Sequence, residues 1–217
     1  MYKRQLYKYL KSFGFGGKTG IDLPGEEEGI LRDIEKWSSI SVGEISIGYE
    51  IGVTAIQMLR AISTLANGGY LVSPRVVKKI ISVNREESIS LIPPRKILVR
   101  EVARKMTQFM EGVVEFGTGR EAKIIGYRIA GKTGTTQKLN SLNEYSQDLH
   151  ISSFVGFAPA DDPVFSMIVV INEPKGKYYG GQVAAPCFRE VAKKVLRYLK
   201  VFPEDNLKKG LKYARKL

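Results

Sequence analysis

Apolar residues recur at helical spacing from the start of the chain. Leu6, Tyr7, Leu10 and Phe13, with lysines between them, predict a helix over 2–13. Gly14, Gly16, Gly17 and Gly20 end it, and Asp22-Leu23-Pro24-Gly25 makes a turn. Residues 26–50 hold no sustained period and read as loop, with Trp37 as a packing anchor. A second helix is predicted over 53–66, ended by Asn67-Gly68-Gly69. Residues 76–83 read as a strand or an irregular excursion. A long helix follows over 97–116, with Val99, Val102, Ala103, Met106, Phe109, Met110 and Val113 as its apolar stripe. Gly117-Thr118-Gly119 stops it. Three strands come next, over 124–135, 151–158 and 164–171. The turn Pro159-Ala160-Asp161-Asp162-Pro163 makes the last two an antiparallel hairpin. The stretch 137–149 is polar and reads as a loop. A helix over 183–199 closes the fold, before Phe202-Pro203 and a basic tail. Helices, then a short antiparallel sheet, then a helix make an α+β arrangement, with helices packed on the sheet.

Composition narrows the class. The chain has 217 residues, 43% hydrophobic and 26% charged, enough for a buried core. The longest apolar runs, such as 167–171, are too short to cross a bilayer. No signal peptide is visible, because Lys3 and Arg4 lead into an amphipathic pattern. The net charge of +12 invites acidic partners, but the cations are spread along the chain. No basic stripe interleaves with aromatics and no nucleic-acid motif is present, so the surface reads as solvated. Cys187 is the single cysteine, which rules out an intrachain disulfide. Its small and apolar neighbours predict a buried cysteine acting as a small hydrophobe. His150 is the one histidine and has no ligand pattern around it for a metal site or a catalytic triad.

Chemistry concentrates in Gly126-Tyr127-Arg128-Ile129-Ala130-Gly131-Lys132-Thr133-Gly134-Thr135-Thr136. Residues 126–133 match the phosphate-loop pattern G-x-x-x-x-G-K-T letter for letter. That reading needs a flexible turn between the glycines and a helix after Thr133. The intervening Tyr-Arg-Ile-Ala prefers a strand, and a polar loop follows. The alternative is a strand ending in Lys-Thr-Gly-Thr at a cleft edge, where alternate side chains face a substrate. Lys132 would bring a positive charge to that edge, suited to a nucleophile and a carboxylate. Thr133 and Thr135 put both hydroxyls on one side. Gly134 keeps the strand surface low. The Thr135 backbone N–H offers one oxyanion donor, a role worth ~3 kcal/mol. A lone K-T-G is weak, since Lys18-Thr19-Gly20 is a second copy, in turn context.

Ordered context separates the two copies. Phe13-Gly14-Phe15-Gly16 leads to Thr19-Gly20-Ile21-Asp22-Leu23-Pro24-Gly25-Glu26, then Val53-Thr54-Ala55-Ile56-Gln57-Met58, Leu65-Ala66-Asn67-Gly68-Gly69, Met110-Glu111-Gly112-Val113-Val114 and Gly117-Thr118-Gly119. After the Lys-Thr-Gly-Thr come Ser153-Phe154-Val155-Gly156-Phe157-Ala158-Pro159, Tyr179-Gly180-Gly181 and Val183-Ala184-Ala185-Pro186. This series, from about residue 7 to about 203, closely resembles class B penicillin-binding proteins, the peptidoglycan D,D-transpeptidases of cell elongation and division.

The resemblance implies a partial transpeptidase fold over 1–203 and a basic tail over 204–217. It implies a serine that attacks the D-Ala–D-Ala bond of a stem peptide, an acyl-enzyme resolved by an amine, and β-lactams that trap that serine. Lys132, Thr133, Gly134 and Thr135 are the expected substrate-binding strand, with Lys132 and the Thr135 N–H in the chemistry. No cofactor and no nucleic acid are implied. The family also requires S-x-x-K and an upstream S-x-N. No S-x-x-K occurs in the 217 residues. Ser82-Val83-Asn84 and Ser141-Leu142-Asn143 fit S-x-N but lie downstream of the Phe-Gly-Phe-Gly region, so they are coincidental. The expectation is therefore a truncated, inactive segment whose missing N-terminal half carries the nucleophile and the membrane anchor. The full-length parent is expected on the outer face of the inner membrane. A non-catalytic envelope scaffold is the alternative.

Overall fold

A computed structural model describes residues 2–83, 85–90, 92–139 and 145–204. The chain divides into two compact units, Met1–Ala103 and Arg104–Leu217.

The first unit opens with α1 (Tyr2–Ser12). Tyr7 meets Trp37 edge to face, with centroids 5.6 Å apart. Trp37 is buried, its indole N–H donates to Arg32 O, and Lys3 donates to its carbonyl. It is thus the anchor that its isolation in a polar stretch suggests. That stretch is not all loop: α2 (Ser41–Ile47) lies within it. With only Ser41 and Ile45 buried and no side-chain cap at Ile40, this short helix lacks both start signal and stripe. Helix α3 (Ala55–Ala66) starts two residues later than predicted because Thr54 is its N-cap, in a reciprocal capping box with Gln57. Gln57 is buried, and its amide nitrogen donates to Gly17 O at 2.9 Å and Glu28 O at 2.7 Å. One side chain thereby ties the glycine-rich loop to the helix start.

Short antiparallel pairs complete this unit: β1 (Ile30–Leu31) with β2 (Ile51–Gly52), β3 (Tyr70–Leu71) with β6 (Arg95–Lys96), and β4 (Lys79–Ser82) with β5 (Arg85–Ser88). The last pair is exposed on every residue; β4 takes the strand reading of 76–83, and no burial alternation marks β5.

Helix α4 (Arg100–Glu115) buries Ala103, Met110 and Val114, not the whole predicted stripe. Met106 and Phe109 stay 40% and 60% exposed. At 3.6 residues per turn they sit roughly a quarter turn from the buried line, so one broad stripe divides into a covered and an uncovered half.

The second unit is built on an antiparallel sheet in the order β7 (Ala130–Leu139), β8 (Tyr145–Ala158), β9 (Phe165–Asn172). Strands β7 and β9 form its edges. The first predicted strand begins later than expected. Residues 124–127 form a tight turn, with Gly126 at φ +81° and Tyr127 N donating to Ile124 O. The Tyr127 hydroxyl then reaches Val201 O at 2.8 Å. The predicted loop over 137–149 is largely an extension of the β7–β8 hairpin, with residues 140–144 outside the described set. Ladder hydrogen bonds hold such a ribbon without apolar alternation, so polarity alone misread it.

Helix α5 (Gly180–Tyr198) packs on the sheet through Ala184, Ala185, Phe188, Ala192 and Leu196. Phe188 meets Phe154 of β8 at 4.8 Å between centroids, inside a core that includes Val114, Ala122 and Ile129. The helix starts three residues earlier than its apolar pattern, because Gly180 and Gly181 carry no periodic signal. Cys187, expected in the core, is exposed: Ala184, Ala185 and Phe188 take the sheet-facing positions around it.

Candidate active site

The register places Lys132, Thr133, Gly134 and Thr135 opposite Val155, Phe154, Ser153 and Ser152. These four residues therefore lie mid-strand. No helix follows Thr133, and the phosphate-loop reading fails on that ground, because a phosphate site needs backbone amides converging at a helix start.

Strand alternation puts Thr133 and Thr135 on one face, as the sequence predicts, and both meet polar partners there. The Gly180 N–H donates to Thr135 Oγ1 at 2.9 Å. Thr133 Oγ1 lies 2.8 Å from Thr118 Oγ1. Two glycines make this approach possible. A Cβ on Gly180 would come under 3.0 Å from Gly134 O and Ser153 O, and one on Gly181 would collide with Thr118 O. All of these are backbone atoms that cannot swing aside. Lys132 is exposed, and its Nζ donates to Thr133 O at 2.8 Å. Gly134 has its own reason to lack a side chain, since a Cβ there would meet the Ser153 hydroxyl.

The start of α5 is braced from β8. Tyr179 is the extended N-cap, accepting from Gln182 N and Val183 N. The Ser152 hydroxyl donates to Tyr178 O. The buried His150 ring stacks on Tyr178 at 4.1 Å and 17°, and Tyr178 in turn packs on Tyr179 at 4.6 Å. The Tyr178 hydroxyl donates to that of Tyr179, which raises the Tyr178 phenol above its usual range. His150, Ser152 and Tyr178 had no motif of their own. Thr118 appeared as a helix stop and within the Gly117-Thr118-Gly119 motif, with no role of its own, and the β8 pair is recognisable only through the register.

Chemically, this segment offers two hydroxyls on one face, the positive end of a 19-residue helix beside them, and a lysine ammonium that starts from the other face and returns to the strand edge at Thr133 O. It suits an anion such as a carboxylate. Among the described residues no group of three or more His, Cys, Asp or Glu side chains could hold a metal ion, and no helix is long and apolar enough to cross a membrane.

The other Lys-Thr-Gly copy differs in its surroundings. Thr19 is buried, and Glu26 accepts from Thr19 N at 2.6 Å, Thr19 Oγ1 at 2.5 Å and Gly20 N at 3.0 Å. The Thr19 hydroxyl, followed by the backbone donors, holds the Glu26 carboxyl below its usual range. Asp22 accepts from Val76 N and Val77 N, and those bonds lower its carboxyl in the same way. This copy is a clamped turn. Of the S-x-N matches, Ser82 donates to Arg85 O at the end of β4, while Asn84 and residues 141–143 lie outside the described set.

Comparison with known proteins completes the picture. Residues 1–193 match the penicillin binding protein transpeptidase domain. Stage V sporulation protein D of Bacillus subtilis is 40% identical over 208 residues, 94% of this chain and 32% of its own length. Peptidoglycan D,D-transpeptidase FtsI of Escherichia coli K12 is 34% identical over 194 residues, 88% of this chain and 31% of its own. The chain thus spans about a third of the length of these curated relatives. Among solved structures, penicillin binding protein 3 of Mycobacterium tuberculosis complexed with aztreonam superposes with a TM-score of 0.87 at 29% identity, covering 92% of this chain and 47% of that one. The transpeptidase domain of Burkholderia pseudomallei penicillin-binding protein 3 gives 0.81 at 29% identity, covering 94% and 60%.

Proposed function

The chain belongs to the penicillin-binding protein transpeptidase family, and from that premise we propose that it supplies one wall of a peptidoglycan D,D-transpeptidase active site. The wall is the Lys132–Thr135 segment of β7. The observation that carries the reading is an edge strand, unpaired on one side among the described residues, whose Thr135 accepts from the start of α5, whose Thr133 meets Thr118, and whose Lys132 is exposed at the same edge.

In this reading the carboxylate of a stem peptide, or of a β-lactam, lies along β7. Thr133 and Thr135 donate to it, and Lys132 compensates its charge. The Thr135 N–H donates to the oxyanion formed when a serine attacks the penultimate D-Ala carbonyl. The serine Oγ forms an ester, the peptide C–N bond breaks, and the terminal D-Ala leaves carrying the serine's proton. An amine of a second stem peptide then attacks the ester and restores the serine.

No S-x-x-K exists in these 217 residues, so the nucleophile comes from elsewhere, in a segment upstream of this one. Two features of the second unit support further chain packing there: Met106 and Phe109 of α4, and one edge of β9, which are uncovered among the described residues. The assembled enzyme works on the extracytoplasmic face of the membrane, and its anchor belongs to the same upstream segment. Intact-mass measurement after incubation with benzylpenicillin tests this. The chain alone should gain no adduct, and a stoichiometric adduct would show that one of its own residues is an activated nucleophile.

A further inference from the structure

Thr135 is held by a hydrogen bond from a helix start that does not hold itself. Gly180 is the first residue of α5, and its N–H is among the four that no helix can satisfy internally. Its direction depends on Tyr178 and Tyr179, which lead into it. Two β8 side chains fix that lead-in. The register makes Ser152 the direct partner of Thr135. Its hydroxyl donates to Tyr178 O, two residues before Gly180. His150 lies two residues earlier on the same face of β8 and stacks on the Tyr178 ring. The His150 ring is buried, and its Nδ1 has no hydrogen-bond partner among the described residues. A buried imidazole nitrogen without a partner costs stability. What the ring gains in exchange is the stack.

We infer that Ser152 and His150 are positioning residues for Thr135, acting through the Tyr178–Gly180 segment. The hydrogen bond from Gly180 occupies a lone pair of the Thr135 oxygen, so the hydroxyl proton is left to be donated to a ligand. The pair therefore sets the donor polarity of the hydroxyl as well as its place. Neither residue touches the ligand in this scheme. The part concerning ligand binding rests on the reading of β7 as a transpeptidase wall. The part concerning Gly180 does not.

The two parts are tested separately. Amide hydrogen exchange at Gly180, measured in the 217-residue chain, reads the bracing directly. Ser152→Ala and His150→Ala should each speed exchange at Gly180 at least tenfold relative to a distant core amide such as that of Phe188. His150→Phe, which keeps a flat ring and removes the unpaired nitrogen, should keep wild-type protection. Unchanged Gly180 exchange in both alanine variants, or equal acceleration at Phe188, would overturn the inference whatever the chain's activity. In the transpeptidase completed by its upstream half, Ser152→Ala should slow acylation by a fluorescent penicillin about tenfold. The same substitution made on top of Thr135→Ala should add less than twofold. A full tenfold effect in the Thr135→Ala background would refute action through Thr135.

Discussion

Gly180→Ala is the substitution that most sharply tests how α5 meets the sheet. The added methyl would sit under 3.0 Å from Gly134 O and Ser153 O, and 3.2 Å from Ser153 N. Ordinary carbon–oxygen contacts begin near 3.3 Å, so the helix start must withdraw by roughly 0.5–1 Å. Every atom in the way is backbone, held in the β7–β8 ladder, and cannot rotate clear. Overpacking of this kind costs about 1–3 kcal/mol. Withdrawal also breaks the Gly180–Thr135 hydrogen bond, worth about 1 kcal/mol. The sum is about 3 kcal/mol, a fall in Tm on the order of 10 °C for a unit of this size. Thermal unfolding followed by circular dichroism measures it. Gly112→Ala is the control, a glycine inside α4 with nothing within 4 Å of its Cβ position. Relief of glycine's backbone entropy should stabilise that variant by about 0.5–1 kcal/mol. The same chemical change should thus act with opposite signs at the two sites. A Gly180→Ala protein within about 0.5 kcal/mol of wild type would refute the close packing argued here.

Gln57→Leu should cost about 3 kcal/mol in denaturant unfolding, because it removes the partner of Gly17 O, Glu28 O and Thr54 N at once; a loss under 1 kcal/mol would show that Gln57 does not pin the loop. Glu26→Gln should destabilise the clamped turn in a pH-dependent way. The folded carboxyl is held low, so its stabilisation is complete above the ordinary value of 4.5 and fades as pH falls through the lowered folded value. The gap between wild type and variant should therefore close below pH 4.5, and a constant gap across that range contradicts the linkage. Cys187 should be alkylated by iodoacetamide in the native chain at a rate within about tenfold of the unfolded chain, since it is exposed on α5. Native protection beyond that would place it in the core.

How far the sequence reached depended on which forces leave a local trace. The long elements were legible because burial is periodic: α3, α4, α5, the β8–β9 hairpin and the α+β class follow from apolar spacing and turn residues. Elements held by ladder bonds or by single tertiary contacts were not. Strand β5 buries nothing, as does β4, which 76–83 offered as one of two readings; α2 buries only Ser41 and Ile45, and the β7–β8 extension is polar. The predicted stripe of α4 included the buried Ala103 and Met110 but missed Val114, and it did not show the division between covered and open sides. For the candidate site, the Lys132–Thr135 strand was visible as a motif, and the shared face of its threonines as simple alternation. Thr118, Ser152, His150 and Tyr178 join it only through strand register and the approach of α5, which no local pattern encodes. The two Lys-Thr-Gly copies show the same point. Thr19 is locked by Glu26 in a turn, while Thr133 lies on an open strand edge.

In the proposed arrangement β7 of this chain completes a cleft whose serine lies on another segment. Its most direct test is fluorescent penicillin labelling of the chain co-expressed with an upstream transpeptidase half carrying Ser-x-x-Lys and Ser-x-Asn. A label on the upstream serine is expected only when both pieces are present, at a rate reduced at least 100-fold by Lys132→Ala. Labelling of the upstream piece at the same rate without this chain, or with Lys132→Ala in place, would contradict it.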